Sequence, residues 1–160
     1  MRRLSRRALL GGAGAYWFDS SRVLAGTPTV RLQLVTAKAS AIRELSFADL
    51  RQLYRGKRIS IAGVKVIPFN HPPNTPDRIG FDRVVLGMDP EEVGRYWVDQ
   101  KIRGGDAPPR TIDSVSLLLR VVAALPGAFA YVREGFASPE LKVVPLDGKL
   151  PGDAGYLLTL

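Results

Sequence analysis

Apolar positions recur along most of the chain at the spacings of helices and strands. The clearest run is 112–132. Asp113 or Ser114 offers a cap oxygen, and Val115, Leu118, Leu119, Val122 and Leu125 follow at helical spacing, so one face turns towards a core. Pro126 lacks a donor and Gly127 tolerates left-handed geometry, which stops the helix and lets Ala128 to Val132 continue as a short buried strand. Helix, corner and strand make half of an α/β unit.

The same reading predicts a strand over Val30 to Thr36, then a helix capped by Ser46 that presents Phe47, Leu50, Leu53 and Tyr54 and closes at Gly56. Val64 to Phe69 reads as a second strand. Asn70 to Asp77 is turn chemistry throughout, with Thr75 as cap and Pro76 at the first helical position. The next helix turns Ile79, Phe81, Val84, Val85 and Met88 inward and ends at Gly87. A new start follows at once: Asp89 caps, Pro90 opens, and Glu91 and Glu92 oppose the positive helix end. Val93, Tyr96 and Trp97 share a face of that helix, which Gly104 and Gly105 stop. Pro108 and Pro109 form an extended connector, Leu141 to Leu146 a last strand and Asp147-Gly148 its turn. Lys149 to Leu160 shows no decisive pattern.

Leu125-Pro126-Gly127-Ala128-Phe129-Ala130-Tyr131-Val132, after Gly104-Gly105-Asp106-Ala107-Pro108-Pro109, resembles a segment of the phosphate-type substrate-binding proteins of ABC transporters. Three more stretches are similar to that family in the same order: Leu45 to Lys57, Arg78 to Gly87, and Tyr96-Trp97. The resemblance covers most of residues 30–147. It implies an α/β fold, a three-layer sandwich with a mixed, mostly parallel sheet of four or five strands, forming a type II periplasmic-binding-protein-like single lobe. In that family a Ser-Gly-Thr loop opens a helix and offers amides, hydroxyls and a nearby arginine to a tetrahedral anion. The matching positions here are Asn74, Thr75 and Arg78, the expected ligand-binding residues. Pro76 removes an amide there and Asp77 adds a repelling charge.

Composition narrows the function. The chain has 160 residues, 46% of them hydrophobic, which suits one domain and falls short of the two lobes that close around a ligand. Its +8 charge is concentrated at the start, because residues 1–25 hold five basic and one acidic side chain. The remainder is spread without a basic stripe or aromatic platform, so no nucleic acid is expected as partner. With no cysteine, disulfides, thiolate metal sites, a cysteine nucleophile and a lipid anchor on an N-terminal cysteine are excluded.

Met1 to Ala25 reads as a signal peptide. Four arginines precede an apolar run too short to span a bilayer, and Ser5-Arg6-Arg7 is similar to a twin-arginine export motif. Val23-Leu24-Ala25 presents small residues for cleavage between Ala25 and Gly26, leaving residues 26–160 as the domain. The alternative is an uncleaved basic amphipathic anchor. An exported protein in the periplasm, soluble and not a lipoprotein, is expected.

No Gly-x-Ser-x-Gly elbow, phosphate-cradling Gly-Lys-Ser/Thr loop or dinucleotide fingerprint occurs. His71 has no metal-ligating neighbour in sequence and reads as a loop residue, and Tyr96 and Trp97 as core. The expectation is a non-enzymatic solute-binding-like protein without catalytic residues, cofactor or metal. It would bind a small anion such as phosphate weakly, with a membrane transporter or other envelope protein as partner. The alternative is a ligand-free interaction module that keeps the lobe fold.

Overall fold

A computed structural model describes residues 29–160, so the signal peptide, Ser5-Arg6-Arg7 and the Ala25-Gly26 cleavage site lie outside the described residues. The elements are β1 (Leu32–Ala37), α1 (Phe47–Tyr54), β2 (Ser60–Ile61), β3 (Val64–Lys65), β4 (Ile67–Asn70), α2 (Pro76–Val85), α3 (Pro90–Ile102), β5 (Arg110–Thr111), α4 (Val115–Ala124), β6 (Ala128–Arg133) and β7 (Leu141–Val144). Five strands form the central sheet in the order β5-β4-β6-β1-β7. β5, β4 and β6 pair in parallel, while β1 is antiparallel to both β6 and β7. Four of the five strands therefore point the same way, and β1 alone is reversed.

Helices cover both faces, which gives the three layers. Leu32, Leu34, Phe129 and Tyr131 point into the core shared with α1, α2 and α3, whereas Val35, Ala128, Ala130 and Val132 pack under α4. Covered on both faces, β6 is apolar from Ala128 to Val132, and β1 is buried along its whole length with two polar residues, Gln33 and Thr36, buried among its apolar ones. Within the larger core Phe81 stacks on Tyr131 with ring centroids 3.7 Å apart, and Tyr54 meets Phe81 edge-on.

Three sequence expectations change. The predicted strand over Val64 to Phe69 is split at Val66: β2 and β3 form a separate two-residue-turn hairpin, with Ala62 and Gly63 both at positive φ, and β4 begins only at Ile67. The chain changes partner there, because Val66 N–H donates to Ile59 O in the hairpin and Ile67 N–H donates to Gly127 O at the start of β6. Gly127 sits at φ +84°, and a Cβ there would run into the Lys65 carbonyl, so the hairpin end and the start of β6 touch backbone to backbone. Leu125 leaves the helical face, because it is the C-cap of α4 with extended backbone and is 43% exposed. β7 stops at Val144, and Leu146 continues only as an isolated bridge.

The tail packs without regular structure. Leu32 N–H donates to Leu158 O and the Tyr156 hydroxyl to Leu32 O, both near 2.9 Å, while Leu160 lies where a side chain on Gly80 of α2 would be.

Candidate functional site

In open α/β sheets the crevice beyond the carboxyl ends of the strands is where helix starts and loops converge. Here β4 ends at Asn70, β6 ends at Arg133, and α2 and α4 both begin beside them. A cavity of about 230 Å³ occupies that position, lined by His71, Asp77, Val115, Val132, Arg133 and Phe136.

Its floor is fixed by a buried polar network. Asn70 Oδ1 accepts from the Tyr131 hydroxyl and, at 3.1 Å, from the His71 N–H. His71 Nε2 lies 2.8 Å from Tyr131 O, and since a carbonyl only accepts, Nε2 carries a proton. The ring also packs edge-on against Tyr131. His71 follows β4 in a loop as the sequence suggested, but it is 5% exposed and tied to β6. Burial pushes the Tyr131 and Tyr54 phenols well above their ordinary range, so both stay neutral donors.

The charged part of the site is the pair Asp77–Arg133. Arg133 Nε lies 2.8 and 3.0 Å from the two Asp77 oxygens, and the pair keeps the Arg133 guanidinium protonated still more firmly than usual. The two helix starts differ. α2 has Asp77 in its first turn and Pro76 without an amide, whereas α4 has no acidic residue in its first turn and its Ser114 cap accepts only from Leu117 N–H. Asp113 directly precedes that cap, so each of the two positive helix ends has one carboxylate close to it in the chain.

The residues singled out by sequence do not line this cavity. Asn74 adopts φ +69°, and the Thr75 hydroxyl donates to Pro72 O at 2.9 Å rather than capping α2. Arg78 pairs with Asp82 one turn along α2 and donates to His71 O at 3.1 Å, so it ties α2 to the end of β4. Burial raises the Asp82 pKa despite Arg78, and Asp82 Oδ1 has no hydrogen-bond partner. Asn74 and Arg78 line a smaller pocket of about 50 Å³ between α2 and α3, whereas Thr75 lines neither cavity. Sequence reasoning missed Arg133, although it directly follows a predicted strand, the place where strand-end chemistry is found. It also missed Phe136, which no spacing rule marks.

Among the described residues no three or more His, Cys, Asp or Glu side chains are grouped to hold a metal. No described helix is long and apolar enough to cross a membrane.

The fold is similar to that of solved transport receptors. An ABC-type phosphate transport receptor from Vibrio cholerae superposes with a TM-score of 0.65 at 14% identity, over 82% of this chain and 54% of the receptor. PstS from Borrelia burgdorferi gives 0.63 at 11% identity, over 82% and 55%. The fold is similar to that of one part of these receptors. At these identities the likeness is one of fold, and the chain spans about half the length of each receptor. No family model and no curated protein matches the sequence.

Proposed function

We propose that this chain is an exported, non-enzymatic solute-binding-like protein resembling one lobe of a phosphate-type substrate-binding protein, which holds a small anion weakly and passes it to a membrane transporter or other envelope protein. The observation that carries the reading is the crevice at the ends of β4 and β6, where Arg133 and the start of α4 face one cavity. An anion such as phosphate or a small carboxylate would accept from Arg133 and from the free amides at the start of α4, with His71 beside it. Asn74, Thr75 and Arg78 would then set the loop and the α2 start that frame the crevice.

Weak binding follows from the same geometry. Asp77 already occupies Arg133, whose side chain is 46% exposed, and a hydrogen bond made in contact with water nets only about 1 kcal/mol. The likeness to receptors described as phosphate transport proteins supports this ligand class. A second reading, a ligand-free envelope interaction module, draws on the fact that Arg78 and Arg133 are both ion-paired. Calorimetric titration of the mature protein with phosphate, sulfate and acetate separates the two. Saturable heat in the millimolar range supports the first, and no heat with any of them leaves the second.

A further inference from the structure

A second concavity, larger than the crevice, is at the other end of β4. It has a volume of about 570 Å³ and shares no lining residue with the crevice. Lys57, Arg58, Lys65 and Arg110, all exposed, surround it against a single carboxylate, Asp106, which sits 3.3 Å from Arg58. Among the described residues Lys57, Lys65 and Arg110 have no acidic partner. Between these cations the surface is apolar: Ile67, Pro68 and Pro109 are half-buried, and Leu125 is exposed.

We propose that this groove docks an acidic segment of a partner protein in which carboxylates alternate with apolar side chains. Charge selects the sign of the occupant, and residues 1–25 of the chain itself, with five basic side chains and one acidic, are of the wrong sign. The apolar lining selects its kind. An inorganic polyanion has nothing to bury on Pro68, Pro109 and Leu125, whereas a peptide uses both halves of the surface. Backbone pairing contributes little. Ile67 N–H is turned to β6, so the next residue faces the groove side, and Pro68 has no N–H to offer there. Recognition therefore falls to side chains. The interaction does not depend on the anion crevice.

The test uses the full chain with a fluorescent heptapeptide alternating aspartate and leucine, and with hepta-aspartate and linear polyphosphate as competitors. The alternating peptide should bind about fivefold tighter than hepta-aspartate, because its leucines bury apolar surface. The double variant Lys65→Glu with Arg110→Glu should weaken it about tenfold through two lost and reversed rim charges. Leu125→Ser, a change at an exposed position, should remove the advantage over hepta-aspartate. No binding, equal binding of polyphosphate, or indifference to both variants overturns the proposal.

Discussion

Arg133 lays its guanidinium across both oxygens of Asp77, with Nε at 2.8 and 3.0 Å, and so joins the end of β6 to the first turn of α2. The contact fills the place in the crevice where an incoming anion would meet a free guanidinium. Whatever binds there competes with a carboxylate that the chain already carries.

Asp77→Asn should therefore improve anion binding. It removes the like charge and releases Arg133, a gain of about fivefold in affinity for phosphate by solvent-screened electrostatics. Because the Arg133 side chain is 46% exposed, the loss of the pair should cost stability less than about 1 kcal/mol. Calorimetry and a urea midpoint measure the two effects, and a drop in affinity would count against the placement of the ligand.

Asp82 gives a pH signature. Its folded pKa is raised by burial, with Arg78 only partly offsetting the shift. Such a group contributes stability fully below the ordinary Asp value of about 3.9, and that contribution is lost as pH rises through the raised folded pKa. Asp82→Asn leaves Arg78 unpaired at every pH but deletes this titration. The Tm of the variant minus that of the parent should thus climb from pH 3.5 upward. A flat or falling difference would show that burial does not dominate at Asp82.

Gly127→Ala should be among the more damaging single substitutions. Positive φ costs a side chain about 1–2 kcal/mol, and the collision with Lys65 O adds to it. A loss of about 3 kcal/mol in urea unfolding is expected, against a gain of up to about 1 kcal/mol for Gly94→Ala, whose Cβ would meet open space inside α3.

The sequence carried the layers better than the site. α4, the Pro126-Gly127 corner and β6 were legible because amphipathic spacing, a helix stop and a two-sided apolar strand follow one another without a gap. The hairpin was not, since Val64 to Phe69 has the composition of one strand, and the change of partner from Ile59 to Gly127, more than 60 residues further along the chain, is a long-range relation. The tail lacks periodicity because Tyr156 and Leu158 alone are buried in it, both held against Leu32 of β1. At the site, the Asn70-Asp77 loop announced a helix start, and that start is present. Which arginine faces the cavity depends on where β6 ends relative to α2, a relation between distant segments that local spacing does not encode. Arg78 turned inward to Asp82, one turn away on its own helix, and Arg133 took the outer place.

The most direct test of the binding crevice is a ¹H–¹⁵N NMR titration of the mature protein with sodium phosphate, read residue by residue. The account predicts saturating millimolar shifts centred on the amides of His71, Asp77, Val115, Ser116 and Arg133. Absence of shifts, or shifts confined to Lys57, Lys65 and Arg110 at the far end of β4, would contradict it.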